Sequence, residues 1–420
     1  MIRSSIFQGA VIAPEETFGN PALPDTRLGG AGINHSINAS VTTFKPKGNK
    51  FPTVASLGKE YTNISLDGKI AYNDLPYLLS SLMKTVSPTG ATSVKTWTFD
   101  KSSKSPDSAK SFTALFGDGE TRQNLASGMM LTELGFEFSR DDASLSGAGF
   151  AQAIREGASI FSLEVTGSPT GGTFTLTYNE DTTDGIAYNA TAAQVAAALA
   201  GLDDFSAEEI SCLGGPLTEA AVLIIINGHD AIGAAEISAS ASLTGGTDPA
   251  VSVSAGTVTE LSDLVIQATD VSIYLADTAA GLSGASALEN ALTGSWRMSD
   301  VWGQFWPLKR GESFTGVLDT DPTAEVKLKV MANADGMALL GKMRKGTSKF
   351  IRISAISETK IGATQTPYSF QIDAALKVKN PNEFSDEDGV YAIEWTFDIV
   401  HDATWGKATE LTVVCSQTAL

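Results

Sequence analysis

The 420-residue chain has little of the residue types from which catalytic and metal sites are usually built. Its two cysteines and three histidines stand far apart in the sequence (Cys212, Cys415, His35, His229, His401). No Cys-x-x-Cys pair and no HExxH motif occurs, so no zinc site is predicted, and two isolated thiols are typical of a protein made in a reducing cytosol. No GxGxxG follows a strand and opens a helix, and no GxxxxGK[ST] occurs. The sequence therefore predicts neither an enzyme nor a cofactor.

Basic residues are also in short supply. The chain has 29 Lys and Arg against 48 Asp and Glu, which gives a formal net charge of −19. Proteins that grip nucleic acid are usually basic, because neutralising phosphates supplies most of the affinity. This composition excludes tight DNA binding, but it suits a wall that DNA must slide past without sticking.

Long apolar runs are missing as well. No stretch of 18 apolar residues occurs, so we expect no membrane span and no membrane partner. The N-terminal segment "MIRSSIFQGAVIAPEETFGNPALPDT" has no apolar core of the kind that a signal peptide requires, so we expect no secretion signal.

Short strands with alternating apolar residues dominate what is present. In "VYAIEWTFDIV" (390–400), one face carries Tyr391, Ile393, Trp395, Phe397 and Ile399, and we expect that face to be buried. Together with 40 glycines and abundant Thr and Ser, this pattern predicts a mainly β protein.

One strand–helix–strand unit occurs twice in the sequence. Placing Leu79 of "IAYNDLPYLLSSLMK" on Leu340 of "VMANADGMALLGKMRK" also places Ala71 on Ala332 and Asp74 on Asp335. The loops "TTFKPKGNKFPTV" and "GQFWPLKRGESFTGV", which precede these units, match in their aromatic, Pro and basic positions. We therefore predict a duplication in which helices 74–84 and 335–345 are equivalent.

The first of these helices has an apolar face. Leu75, Leu78, Leu79 and Leu82 recur at the i, i+3, i+4, i+7 spacing of a helix, and Asn73 or Asp74 can cap it.

The composition divides the chain into four parts. Residues 1–34 are rich in Pro and Gly, which predicts an arm that is either a flexible tail or a segment that orders on a neighbouring subunit. Residues 35–156 contain the first repeat, and residues 262–420 contain the second. Residues 157–261 have few aromatics and much Ala, Gly, Ser and Thr, which indicates an inserted module of α+β or β-sandwich type; Asn189 or Thr191 is the expected cap of its helix.

An aromatic cluster at the start of the second repeat allows two interpretations. Trp296, Trp302, Phe305 and Trp306 either pack in the core where the strands begin or anchor a subunit interface, where Trp is enriched.

The two repeats resemble a known family. The first stretch is "FKPKGNKFPTVASLGKEYTNISLDGKIAYNDLPYLLSSLMK". The second is "EVKLKVMANADGMALLGKMRKGTSKFIRI" with the strands that follow it. Both are similar to major tail tube proteins of long, non-contractile-tailed (siphovirus-type) bacteriophages. The segment "GTFTLTYNEDTTDGIAYNATAAQVAAALAGL" resembles an accessory module of phage structural proteins.

The resemblance implies two tandem tail-tube domains of β-sandwich or barrel type, each with one flanking helix, and a module on the outer surface. It implies a virion protein of the viral tail that is assembled in the host cytoplasm. Such subunits form stacked rings with a continuous inner β-barrel. A tandem pair would form homotrimeric, pseudo-hexameric rings, with homohexamers as the alternative. The implied partners are other copies of the chain, the tape-measure protein, the tail terminator and distal tail proteins, and DNA that passes during ejection without specific binding.

Two residue sets are candidates for roles in such a tube. The first is basic and is expected at ring-to-ring contacts, because cations suit acidic partners better than a DNA channel. It comprises Lys45, Lys47, Lys50, Lys309 and Arg310. The second is acidic, lies on the polar faces of long strands and is expected to line the lumen. It comprises Glu133, Glu137, Asp373, Glu394 and Asp398.

Two other classes of protein remain open on sequence grounds. A cell-surface or carbohydrate-binding β-module protein, such as an adhesin or tail fibre, would share the composition. A glycosidase with paired carboxylates on β-strands would share the acidic residues, although no motif points to one.

Overall fold

A computed structural model describes residues 9–90, 93–118, 122–227, 237–308, 313–333, 337, 348–381, 384–387 and 389–420. The chain is mainly β, and its strands pair almost entirely in antiparallel fashion. Within the described ranges there are two α-helices, and none of the sheets closes into a barrel.

The first unit comprises residues 9–156 and contains nine strands and one helix. The strands are β1 (Gly9–Pro14), β2 (Thr26–Arg27), β3 (Ala31–Phe44), β4 (Val54–Lys69), β5 (Lys95–Asp100), β6 (Phe112–Asp118), β7 (Arg122–Phe138), β8 (Ala143–Ala151) and β9 (Arg155–Glu156). Helix α1 (Leu75–Leu82) lies between β4 and β5.

The segment expected to be an arm is part of the sheet from Gly9 onward. Strand β1 pairs with β6 along its whole length, and β3 already begins at Ala31. Val11, Ile12 and Ala13 are buried, and burial of this apolar run outweighs the turn-forming tendency of the prolines, which follow the strand or end it. Residues 1–8 lie outside the described part.

Helix α1 forms as its pattern predicts. Leu75, Leu78, Leu79 and Leu82 are all buried, and Pro76 lies in the first turn, where its missing N–H costs nothing. Asp74 stands at the N-cap position, but its side chain makes no bond to the helix. It has a different partner, described below.

The segment predicted to be an inserted module, residues 157–261, contains nine strands and one helix in its described part. Its strands are β10 (Ser159–Thr166), β11 (Gly171–Tyr178), β12 (Asp181–Thr182), β13 (Ile186–Ala187), β14 (Ile210–Gly214), β15 (Val222–Ile226), β16 (Ile237–Thr244), β17 (Ala250–Ser254) and β18 (Thr259–Glu260). Helix α2 (Ala192–Leu199) is capped by Thr191, in a capping box with Gln194. Two four-stranded sheets and α2 enclose a separate core that includes Val195 and Leu199.

The second unit follows from residue 262. Its strands are β19 (Val271–Ala276), β20 (Ala291–Ser299), β21 (Trp302–Phe305), β22 (Gly316–Asp319), β23 (Thr323–Met331), β24 (Lys349–Ile361), β25 (Thr366–Pro381), β26 (Ser385–Glu387), β27 (Val390–Ile399) and β28 (Thr409–Cys415). Short 3-10 helices span Ala268–Asp270 and Ala280–Gly284. The helix predicted over 335–345 lies outside the described residues except for Met337.

The two units have the same order of paired strands. In the first unit the order is β1–β6–β7–β8–β4–β3, and in the second it is β19–β24–β25–β27–β23–β20. Even an irregularity recurs, because the β7–β8 register shifts between Leu131 and Glu133 and the β25–β27 register shifts between Val378 and Asn380. The sequence repeat therefore corresponds to a repeat of topology.

One core joins the two units. It contains Trp97 and Phe136 from the first unit with Trp296, Trp395 and Phe397 from the second. On β27, Ile393, Trp395 and Phe397 are buried as predicted, whereas Tyr391 is exposed near the end of its hairpin. Because the core is shared, the units are not independent globules within the chain.

Candidate assembly surface

Strands β3 and β4 form a hairpin whose outer half has little contact with the rest of the chain. From Ser36 to Lys59 nearly every described residue is exposed, whichever face of the hairpin it lies on. Five large apolar side chains are among them, and their exposed fractions range from 49% to 77%. They are Ile37, Val41, Phe44, Phe51 and Val54. Clustered exposed apolar residues mark interaction sites, so this outer half of the β3–β4 hairpin is the candidate assembly surface.

The basic candidates of the first unit lie at the end of the same hairpin. Lys45, Lys47 and Lys50 are all exposed in the loop that joins β3 to β4. The structure therefore brings these three together. Lys309 and Arg310 lie outside the described residues.

The second unit has an equivalent hairpin, in which β20 and β21 pair with β23 and β22. This hairpin packs against other parts of the chain. Strand registers place Met298, Trp302 and Phe305 at the positions that Ile37, Val41 and Phe44 occupy in the first unit. Met298 and Trp302 are 3% and 6% exposed, whereas Ile37 and Val41 are 49% and 61% exposed. Two of the three positions thus are buried in one hairpin and open in the other.

The second hairpin is buried because it docks on the first unit. The Nε1–H of Trp302 donates to the backbone oxygen of Leu82 at 2.8 Å, and the Nζ of Lys101 lies 4.3 Å from the centre of the Trp302 ring. Phe314, on the returning side of the loop, is fully buried, with its ring centre 5.8 Å from that of Phe18 and 5.0 Å from that of Phe150. The aromatic cluster is therefore mainly core, although Phe305 remains 47% exposed.

Backbone pairing continues this contact. Strand β20 pairs with the C-terminal half of β7, from Gly294 opposite Phe138 to Met298 opposite Leu134. The nearly buried Nζ of Lys101 also lies 2.7 Å from a carboxylate oxygen of Asp319. A sheet edge, apolar side chains and an ion pair together hold the second hairpin on the first unit.

Two strand edges are open among the described residues: the edge of β3 in the first unit, and the edge formed by β26 and the last residues of β25 in the second. Among the described strands, β3 pairs with β4 alone, and β26 pairs with β27 alone. Strand β25 pairs with β28 only as far as Ala374, so its last residues have a partner on one side. Open edges of this kind are templates for another strand.

Four of the acidic candidates lie on polar faces of long strands, and three of them have a cation nearby. Glu133 is paired with Arg297, and a carboxylate oxygen of Asp398 lies 3.0 Å from the Nζ of Lys379. Glu394 lies directly opposite Lys329 in the sheet, and Glu137 is exposed. This face therefore carries both signs of charge, and its position in a lumen stays a prediction.

Asp373 stands apart from the other four acids. It is 6% exposed, and both of its carboxylate oxygens accept hydrogen bonds from Arg352 at 2.8 Å. This geometry raises the pKa of the Arg352 guanidinium, mainly through the bond to Asp373. Asp373 is a structural partner of Arg352.

Two buried carboxylates that sequence reasoning missed hold the start of the chain in place. The Asp74 oxygens accept backbone N–H bonds from Gly29, Gly30 and Ala31 at 2.8–3.0 Å, which fixes the start of β3. The side chain of Glu15 has four donors: the N–H groups of Gly19 and Gly128 and the hydroxyls of Ser111 and Thr113. Burial raises the pKa of both carboxyls, and the hydrogen bonds partly oppose this rise. The only sequence signal was an acid directly after an apolar run, at "VIAPE".

The described residues offer no cluster of metal ligands and no activated thiol. They contain no group of three or more His, Cys, Asp or Glu that could hold a metal ion. Burial raises the pKa of Cys212 to about 12 and of Cys415 to about 11, so neither thiol is activated. Of the helices in the described ranges, none is long and apolar enough to cross a membrane.

These features define a class: a mainly antiparallel β chain with two units of one topology, one docked hairpin and one open hairpin. No family model matches the sequence, and no curated protein matches it. Among solved structures, the chain is similar to the SPP1 tail tube determined by solid-state NMR and cryo EM, at 15% identity and a TM-score of 0.24. The match covers 36% of this chain and 81% of that one. A TM-score this low does not assign the chain to that protein's family.

Proposed function

We propose that the chain is a structural, non-enzymatic subunit of a phage tail tube, which assembles with copies of itself into stacked rings. The observation that carries this proposal is the open β3–β4 hairpin, because two of its three compared apolar positions are buried in the equivalent hairpin of the same chain. Within the subunit, the first unit covers the hairpin of the second unit, whereas the β3–β4 hairpin stays exposed and can bind another copy. The surface that covers it is then the second unit of another copy.

The domain organisation follows from this proposal. The first unit, with its N-terminal strands, and residues 262–420 are the two tail-tube domains, and each acts as one position of the ring. Three chains would then supply six positions. The module at 157–261 lies on the outside, because a folded unit of about 100 residues has no room in a DNA-sized channel.

The charge of the chain supports the role of a conduit. A net charge of −19 opposes sticky phosphate contacts, so DNA would pass without specific binding. In this role the remaining partners are the tape-measure protein inside the tube and the terminator and distal tail proteins at its ends. Lys45, Lys47 and Lys50 then make ring-to-ring contacts.

Electron microscopy and sedimentation velocity of the purified chain test the proposal. The wild type should form rings or tubes. Replacing Val41 and Phe44 with Asp should leave the chain folded by circular dichroism but abolish assembly, because two charges would have to be buried in the contact. Val258→Asp is the matched control, since Val258 is an apolar residue 41% exposed outside the hairpin, and this variant should assemble like the wild type.

A second variant separates rings from stacks. Replacing Lys45, Lys47 and Lys50 with Glu should leave single rings but shorten or abolish tubes, most clearly at low salt. A wild type that stays monomeric at high concentration would refute the proposed function, and a Val41→Asp/Phe44→Asp variant that still assembles would refute the role of the hairpin.

A further inference from the structure

One lysine and two aspartates meet where the second hairpin docks on the first unit. Lys101 directly follows β5, Asp107 lies six residues further along the same loop, and Asp319 is the last residue of β22. The Nζ of Lys101 lies 2.7 Å from Oδ1 of Asp319 and 3.3 Å from Oδ2 of Asp107. The side chains of Lys101, Asp107 and Asp319 are 8%, 7% and 20% exposed. One amine therefore faces two carboxyl groups in a largely buried cluster that spans both units.

Backbone donors and an aromatic ring hold these three groups in one arrangement. The N–H of Asp107 donates to Oδ2 of Asp319 at 2.9 Å, and the N–H of Ser102 donates to Oδ2 of Asp107 at 2.9 Å. The centre of the Trp302 ring lies 4.3 Å from the Nζ of Lys101. Both carboxyl groups are thus oriented from the backbone, and an indole ring shields one side of the amine.

Burial distinguishes this cluster from an ordinary ion pair. In the pair Lys349–Asp277 the nitrogen and oxygen are also 2.7 Å apart, but Asp277 is 64% exposed. Taking charges out of water costs free energy, and apolar side chains of similar volume often join two surfaces at least as well as a buried ion pair does. A condensation of the amine with a carboxyl group removes both charges and releases water, so the same burial that penalises the ions favours the product.

We propose that Lys101 and Asp319 form an intramolecular isopeptide bond, with Asp107 as the catalytic group. The Nζ of Lys101 attacks Cγ of Asp319, so that the Nζ–Cγ bond forms and the Cγ–Oδ1 bond breaks. Two protons move from the lysine ammonium to the leaving oxygen through the carboxylate of Asp107, which ends in its initial form. The products are one amide and one water molecule, and the reaction consumes no oxidant, nucleotide or other co-reactant.

The folded chain provides the positioning that this reaction lacks in free solution. Reacting atoms about 3–3.5 Å apart are in near-attack geometry, and groups held in this way reach effective molarities of about 10⁵–10⁸ M. An amine that hydrogen-bonds a carboxyl oxygen starts close to this range. The N–H of Asp107 stabilises the negative charge that develops on Oδ2 of Asp319 in the tetrahedral intermediate. Lys101 and Asp319 also line a cavity of about 630 Å³, which gives the released water an exit.

The bond would fasten the second hairpin to the first unit. It joins residues 218 positions apart in the sequence. An ion pair weakens as salt rises, whereas an amide does not, so the contact between the units would no longer depend on ionic strength. This proposal is independent of the assembly of the chain into rings.

Mass spectrometry of the purified, folded chain tests the proposal. The wild type should be lighter than its processed sequence by one water molecule, and proteolysis should give a branched peptide that joins Lys101 to Asp319. Lys101→Arg keeps the positive charge without a nucleophilic amine and should restore the full mass. Asp107→Asn keeps the shape of the proton relay but not its function, and should slow bond formation at least about a hundredfold. Lys104→Arg, at an exposed lysine of the same loop, should cross-link like the wild type.

Two further readouts separate a cross-link from a persistent ion pair. On denaturing gels the wild type should migrate differently from Lys101→Arg, because the covalent loop stays closed in detergent. The exposed pair Lys349–Asp277 should give no branched peptide. A wild type of full mass without a branched peptide after prolonged incubation would overturn the proposal, whatever the result of the assembly experiments. An Asp107→Asn variant that folds and cross-links at the rate of the wild type would refute the role of Asp107.

Discussion

Equivalent apolar positions in the two hairpins should respond oppositely to truncation. Met298 and Ile37 occupy the same place in the two ladders, and their side chains have similar size. Met298 is 3% exposed and Ile37 is 49% exposed. We compare Met298→Ala with Ile37→Ala in the dissociated chain and in the assembly.

The structure sets the expected magnitudes. Truncation of a buried Met to Ala costs roughly 2–5 kcal/mol, so Met298→Ala should lower the free energy of unfolding of the dissociated chain by about 2–4 kcal/mol. Full burial of an Ile side chain contributes about 1.5–3 kcal/mol, and about half of Ile37 is already buried. Ile37→Ala should therefore cost the dissociated chain about 1 kcal/mol or less. The lost contact should weaken each interface between chains by about 1 kcal/mol, which is roughly fivefold in affinity.

Two assays separate these effects. Urea unfolding at a concentration where the chain is dissociated gives the first quantity, because assembly would otherwise add to apparent stability. Sedimentation velocity over a concentration series gives the second. The reasoning is wrong if Ile37→Ala destabilises the dissociated chain as much as Met298→Ala does, or if it leaves self-association unchanged.

Three further predictions follow. Because burial raises the pKa of Glu15, the folded chain takes up this proton at a higher pH than the unfolded chain, so lowering the pH from 7 to 5 should stabilise the wild type relative to Glu15→Gln; equal changes in urea midpoint would contradict this. Deleting residues 163–253 and joining Ser162 to Ser254, which lie opposite each other on β10 and β17, with a Gly-Ser linker should keep the units folded and able to assemble; aggregation or loss of tubes by electron microscopy would place the module in the assembly. Replacing Glu137 and Asp398 with Lys should give tubes that retain duplex DNA at low salt and release it at moderate salt, and unchanged DNA passage in a retention assay would count against a lumen position.

Local pattern was enough for much of the fold. The stripe of Leu75, Leu78, Leu79 and Leu82 predicted α1, and the alternation in 390–400 predicted the buried face of β27 at Ile393, Trp395 and Phe397. Both signals depend on the side-chain period of one element, which the sequence displays directly. The repeat could also be detected from the sequence, because the same local pattern occurs twice at a nearly constant spacing.

The roles of single residues could not be obtained in this way. Segment 1–34 was predicted to be an arm because it is rich in Pro and Gly. In the structure, however, β1 pairs with β6, about 100 residues away in sequence. Asp74 was predicted as a helix cap, with Asn73 as the alternative, but its carboxylate accepts hydrogen bonds from three N–H groups of residues 29–31. Asp373 was predicted to line the lumen because it lies on the polar face of an alternating strand. Its hydrogen-bond partner Arg352, on the neighbouring strand, could not be predicted from that pattern.

The sequence by itself determined that this is a mainly β, acidic, duplicated chain without a catalytic motif, because composition and periodicity are local properties. Only the tertiary structure decided that the two hairpins differ in environment. Ile37 and Met298 occupy equivalent places in the two ladders, and whether such a residue is buried depends on what packs against it. Met298 lies on a strand that pairs with the first unit, and it is buried. Ile37 has no such neighbour among the described strands, and it is 49% exposed.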